Sequence, residues 1–281
     1  MGKAPEEIRS AAHYISTSDD KDGIADAIDA FLLPLRLAAF DLDGTLALNK
    51  QPLDDEMADL LTRLLDVTMV AIISGGDWPQ FEKQVVSRMP ARARLDNFII
   101  QPTTGTKLYR HADGQWTRIY ADLFTGDESQ RIREALTKAV EQAGYANENI
   151  WGEQIEDRGS QITFSALGQQ APLEAKDTWD PDHAKRKKLQ ALLQPLLPGF
   201  AINIGGATSI DITREGIDKA YGLKRLSEQT GVALDEMIFF GDAIFPGGND
   251  YPAKHLGLDT VRVRDVAETK SVVGAIAAWL V

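Results

Sequence analysis

Three short stretches of this chain are apolar at every position and then stop abruptly at polar residues or glycine. They are residues 37–40 before Asp41, residues 70–73 before Ser74, and residues 237–240 before Gly241-Asp242. Strands buried on both faces of a parallel sheet read this way, without alternation. Between them the apolar positions recur at helical spacing, which predicts helices over 52–65 and 78–89. Near the start, the spacing of Ala25, Ile28, Phe31 and Leu32 predicts a helix over 24–33, with a second over 6–16. The acidic 18–23 stretch between them reads as a solvated linker, because it lacks the ligand spacing of a calcium loop.

The separation between Asp77 and Glu215 is far too long for a loop. Within it, residues 107–110 and 116–120 flank Asp113-Gly114, a hairpin signature. Residues 128–143 and 182–193 read as helices, 155–167 and 200–212 as strands, and the polar 175–188 stretch around Trp179 as an exposed loop. The pattern predicts an α/β protein: a Rossmann-like parallel-sheet core over 36–103 and 214–281, an inserted α+β cap over 104–213, and a helical extension over 1–35.

The strand ends carry the chemistry. Ligands of open parallel sheets lie beyond the carboxyl ends of the strands. Asp41 and Asp43, spaced i, i+2, stand at such an end, followed by Gly44 for a tight turn and Thr45 with a hydroxyl. Two carboxylates held together repel unless a cation joins them, and hard oxygen donors favour Mg²⁺. Taken alone, Asp-x-Asp is equally a helix cap or a turn. Ser74-Gly75-Gly76 offers a hydroxyl and open backbone amides to an anion, or a plain strand-to-helix turn. Lys219, in Gly216-Ile217-Asp218-Lys219-Ala220, reads as a surface lysine by itself. Asp242 and the later Pro246-Gly247-Gly248-Asn249-Asp250 add carboxylates, or a surface turn.

In this order, the segments DLDGT, IISGG, GIDKA and FGDAIFPGGND resemble the four motifs of the haloacid dehalogenase superfamily. That resemblance implies Asp41 as nucleophile and Asp43 as general acid/base. It implies that Ser74 and Lys219 bind the phosphoryl group, with Thr45, Gly75 and Gly76 beside it. It also implies Mg²⁺ held by Asp41, Asp43 (through its backbone carbonyl) and Asp242, with Asn249 and Asp250 in support. The C-terminal half is similar to eukaryotic-type α-phosphomannomutases in residues 205–223 and in the stretched PGGND loop. Ser209 and Asp211 then match sugar-phosphate contacts in the inserted cap. Of the cap arginines only Arg158 is present; Trp151 and Gln169 replace two others, and Lys50 replaces the arginine after the first motif.

Composition sharpens the expectation without altering it. The 281 residues are 43% hydrophobic and 26% charged, ordinary for a globular chain. A formal net charge of −12 disfavours nucleic acid or an anionic membrane as partner. There is no cysteine, so thiol chemistry is excluded, and the four histidines share no metal spacing. Neither a secretory leader pattern nor a membrane-spanning run is visible. The expectation is a cytoplasmic, Mg²⁺-dependent phosphohydrolase acting on a small phosphorylated metabolite such as a sugar phosphate. A sugar phosphomutase is the first alternative, and a non-catalytic binding module on the same fold the second.

Overall fold

The computed structural model describes residues 35–146 and 149–280. The helices expected over 6–16 and 24–33, and the acidic linker between them, lie outside the described residues. Eleven strands form two sheets among those described.

The larger sheet runs β11-β10-β1-β2-β3-β4-β5. Its centre is β1 (Leu37–Phe40), paired in parallel with β10 (Met237–Gly241) and β2 (Met69–Ile73). β3 (Phe98–Gln101) and β11 (Asp259–Arg262) extend it in parallel on either side. Both faces are covered, which is why β1 needs no alternation. Ala38 and Phe40 pack with Met57 and Leu61 of α1 (Asp55–Leu65), Phe81 of α2 (Trp78–Gln84) and Val273 of the last helix, Val266–Trp279. Leu37 and Ala39 pack on the other face with Leu223, Leu226 and Ala253.

The hairpin of β4 (Lys107–Ala112) and β5 (Gln115–Ala121) joins this sheet antiparallel, beside β3. The cap boundary expected at residue 104 therefore moves past Ala121. Packing explains the difference: Trp78 of α2 stacks on Tyr109 at 4.1 Å and meets Trp116 at 5.6 Å, so the hairpin's aromatic face packs, partly buried, against the core.

The inserted unit holds a four-stranded antiparallel sheet, β6-β7-β9-β8. The stretches expected as single strands are two strands each, broken by tight turns. They are β6 (Ile155–Asp157) and β7 (Ile162–Ser165), then β8 (Phe200–Ile204) and β9 (Ser209–Arg214). Ile162, Ile212 and Ile202 form one cross-strand row, packed with Ile132 and Leu136 of α3 (Gly126–Ala143) and Leu189 and Leu193 of α5 (Ala184–Leu193). The neighbouring positions Glu156, Thr163, Asp211 and Asn203 form a polar row on the opposite face. The 175–188 stretch is not an exposed loop. Helix α4 (Leu173–Trp179) buries Trp179, and Asp180 is buried in a 2.7 Å ion pair with Arg186. That pairing hides two charges inside a segment whose composition reads as solvated.

Candidate active site

The carboxyl ends of β1, β2 and β10, and the start of α6 (Lys219–Thr230), converge on one spot. Gly44 makes the exit turn from β1 at φ +89°, where a Cβ would come within 2.7 Å of an Asp242 oxygen. Only glycine serves both demands.

Asp41 is buried, and its carboxylate accepts a hydrogen bond from Lys219 Nζ. Lys219, 2% exposed, also donates to the carbonyl of Ile73 and lies 3.4 Å from Asp250 Oδ1. It is therefore a buried cation, not a surface lysine. Its placement follows from helix geometry: Asp218 caps α6 by accepting from the Tyr221 amide at 2.9 Å, which sets Lys219 at the first helical position. Burial pushes the Asp41 carboxyl up to about 7, against the pull of Lys219. Burial works against a charged Lys219, but Asp41 and Asp250 outweigh it and raise its pKa. Asp242 is also raised, by burial and by the Asp250 charge.

Asp41, Asp242 and Asp250 bring carboxylate oxygens within 4.8 Å of one another. Asp250 Oδ2 accepts from the Ala243 amide at 3.1 Å, while its buried Oδ1 has no hydrogen-bond partner. Three clustered carboxylates, one with an oxygen that meets only the Lys219 ammonium at 3.4 Å, fit a hard divalent cation such as Mg²⁺. Asn249, expected beside the metal, is exposed; the extended PGGND loop turns Asp250 inward and leaves its neighbour in solvent. Thr45 is fully buried and braces Asp242: its hydroxyl accepts from the Asp242 amide at 3.1 Å.

Asp43 is turned aside from this cluster. Its Oδ1 accepts from the Lys50 amide at 2.7 Å, and its Oδ2 from Gln80 Nε2 at 3.3 Å. Ser74 is buried at the end of β2, and the Gly76 amide points to its hydroxyl at 3.5 Å. Asp77 caps α2 and pairs with Lys107 at 2.6 Å, so the strand-to-helix turn of β2 has its own structural cap.

The residues of the inserted unit divide. Arg158 reaches the core and donates to the Gly75 carbonyl at 2.9 Å, while pairing with Glu156 at 2.6 Å. Asp211 accepts from Thr163 Oγ1 at 2.6 Å, and Ser209 is two residues along the same strand face. Gln169 has a buried side-chain nitrogen without a partner, and its carbonyl accepts from Lys176 Nζ at 3.1 Å. Burial, with the charge of Lys50, lowers the pKa of Lys176. Lys176 thus brings a cation of the inserted unit near one from the core. Gln80, Lys176 and the Thr103–Thr106 turn carry no recognisable motif, and only the glycine of Thr103-Thr104-Gly105 marks that turn in the sequence.

This architecture is shared with haloacid dehalogenase-type proteins. An IMP-nucleotidase from Plasmodium falciparum superposes with a TM-score of 0.65 at 17% identity, over 86% of this chain and 62% of that one. A haloacid dehalogenase-like hydrolase from Bacteroides thetaiotaomicron gives 0.57 at 14% identity, over 86% and 99%. At such identities the likeness speaks for the fold alone. Sequence goes further. The eukaryotic phosphomannomutase profile matches residues 57–256, well over half of the chain. Phosphomannomutases of Triticum aestivum and Nicotiana benthamiana are each 28% identical, over 76% and 78% of this chain and 84% of theirs. The chain belongs to the eukaryotic phosphomannomutase family.

Proposed function

We propose that the protein is a Mg²⁺-dependent phosphohydrolase that removes phosphate from a small phosphorylated metabolite, a sugar phosphate by its family. The observation that carries this reading is the buried Asp41–Lys219–Asp250 constellation at the ends of β1 and β10, with Asp242 beside it. Three carboxylates and one ammonium gathered largely out of solvent form an expensive arrangement for a binding module, but a useful one for phosphoryl transfer.

Asp41 attacks phosphorus, the bond to the leaving oxygen breaks, and Asp43 gives that oxygen a proton. Asp43 then takes a proton from water, which attacks the aspartyl-phosphate and restores Asp41. Lys219 and Ser74 stabilise the transferring oxygens, and the amides of Gly75 and Gly76 border the same space. Asp41, the Asp43 carbonyl, Asp242 and Asp250 would hold Mg²⁺, which when bound supplies positive charge against the phosphoryl oxygens. Asp43 reaches this role by leaving Gln80 Nε2 and the Lys50 amide.

The inserted unit serves as the specificity cap, with Arg158, Ser209 and Asp211 as sugar-phosphate contacts. Lys50, Lys176 and the unpartnered Gln169 amide add donors for a second anionic group. They support the second reading, a sugar phosphomutase, which must hold a bisphosphate while it reverses. Two features favour hydrolysis. Gln169 stands where a guanidinium is expected, and Arg158 is already engaged by Glu156 and Gly75. A panel of phosphate esters, with and without Mg²⁺, tests the first reading by phosphate release. Priming with hexose 1,6-bisphosphate tests the second. If hexose 1-phosphate is then isomerised much faster than it is hydrolysed, the mutase reading replaces the hydrolase.

A further inference from the structure

The segment that follows β3 is built in an unusual way. Thr103 and Thr104 both adopt left-handed backbone, at φ +49° and +58°. This region is costly for β-branched residues, and such strain persists only where surrounding contacts over-determine it. The contacts here are specific. The Thr103 amide donates to the Gly76 carbonyl at 2.8 Å, and the Thr104 amide to the Ser74 carbonyl at 2.9 Å. The turn therefore holds both ends of the Ser74–Gly76 loop. Gly105 presses on the helix that carries Lys219, where a Cβ would lie 2.4 Å from Gly222 Cα.

The third partner comes from the inserted unit. Ser160, in the β6–β7 turn, places its hydroxyl 2.7 Å from Thr106 Oγ1 and 3.1 Å from Thr103 Oγ1, which are 2.6 Å from each other. All three residues are almost fully buried. This closed ring of hydroxyls ties the strained turn to the inserted unit, two residues from Arg158 and its bond to Gly75.

We propose that Ser160 is a positioning residue for the phosphoryl-binding loop, acting through the strained Thr103–Thr106 turn without touching substrate. Docking of the inserted unit thereby sets the geometry of Ser74, Gly75 and Gly76. The proposal rests on the phosphotransfer reading of that loop.

Ser160→Ala removes two hydroxyl contacts from a buried ring and leaves the Thr103–Thr106 pair. Inorganic phosphate, titrated into the full chain with Mg²⁺ by calorimetry, is the probe. We expect its affinity to fall about tenfold, the size of one buried hydroxyl interaction. Hydrogen exchange should quicken at the Thr103 and Thr104 amides. Thr106→Val should behave alike and Thr106→Ser should restore tight binding, which keeps the test sound if one variant folds poorly. Phosphate bound equally by wild type and Ser160→Ala, with unchanged exchange at those two amides, overturns the positioning role alone. Failure of the wild type to bind phosphate at all overturns the phosphotransfer reading, and the proposal with it.

Discussion

Replacing Lys219 by methionine removes one charge from the centre of the molecule and keeps the shape of the stem. Asp41 and Asp250 then share a buried space without their cation, since Lys219 is the partner of both. Breaking a buried pair by deleting one member costs about 3–5 kcal/mol when the other stays charged. Proton uptake limits that cost and gives it a pH signature. The Asp41 carboxyl already stands at about 7 against an ordinary value of 3.8, so the folded protein binds a proton that the unfolded chain releases. A raised carboxyl contributes its full stability below the unfolded value and loses it as pH rises through the folded one. Each pH unit in that window is worth about 1.4 kcal/mol. Wild type should lose stability through this group up to about pH 7 and then level off. In Lys219→Met the group moves higher still, so the decline should continue to pH 8 and beyond. Thermal melts at pH 6, 7, 8 and 9 in chelator measure this directly. At pH 8 the variant should melt about 6–10 °C below wild type. Added Mg²⁺ should recover part of the loss by binding the native state. Turnover should be absent throughout. A variant with the stability of wild type at pH 8, and with the same pH slope, refutes the buried-charge account.

Asp41→Asn should abolish phosphate release while raising stability at pH 8, because the amide escapes the penalty carried by the buried carboxylate; a melt and a phosphate assay on one preparation decide it. Asp242→Ala should weaken Mg²⁺ binding at least tenfold by calorimetry and cut turnover strongly, leaving only residual rate in excess metal. The Glu128 carboxyl is held down at about 2, first by Arg214 and then by the amide of Thr125, so its contribution is present above pH 4.5 and is lost as pH falls toward 2. Glu128→Gln should remove that acid sensitivity, costing about 1 kcal/mol at pH 6 because the pair is partly solvated. Gly105→Ala should sharply reduce soluble yield or lower the melting temperature by several degrees, since both its φ of +84° and the Gly222 contact exclude a Cβ.

The strand ends were legible in the sequence because they obey local rules. A strand buried on both faces must be apolar throughout, so residues 37–40, 70–73 and 237–240 announce both the sheet and the places where its chemistry sits. The hairpin of residues 107–121 was legible as a hairpin but not as part of the core, since turn chemistry fixes pairing within the hairpin and says nothing about its other neighbour. That choice belongs to Trp78, Tyr109 and Trp116, which meet across the fold. Trp179-Asp180-Pro181-Asp182 read as solvated because charge normally is; Arg186, six residues beyond Asp180, reverses the reading by satisfying it in the interior. The Ser160 ring was invisible for a similar reason. Serines and threonines are common turn residues, and only the three-dimensional path brings residues 103, 106 and 160 together.

On the proposed reading, the groups around Asp41 would serve hydrolysis and isomerisation alike, since both would proceed through attack by one carboxylate. The division between them falls on groups outside the motifs. A mutase needs firm contacts at the distant end of a bisphosphate, and charge-assisted contacts to phosphate are worth about 1.5–3 kcal/mol each. In this chain Arg158 is committed to Glu156 and the Gly75 carbonyl, which makes it a link between the two parts of the molecule as much as a ligand group. Lys176 and Lys50 supply point charges without the bidentate geometry of guanidinium. Burial, with the charge of Lys50, lowers the pKa of Lys176, so an anion held near the two lysines would offset part of that cost. On the proposed reading, that relief would favour capture of a dianionic substrate, while the shortage of forked donors would favour early release of what remains after the first transfer. Together these features support the proposed reading, an enzyme that accepts mutase-like substrates and completes the reaction with water.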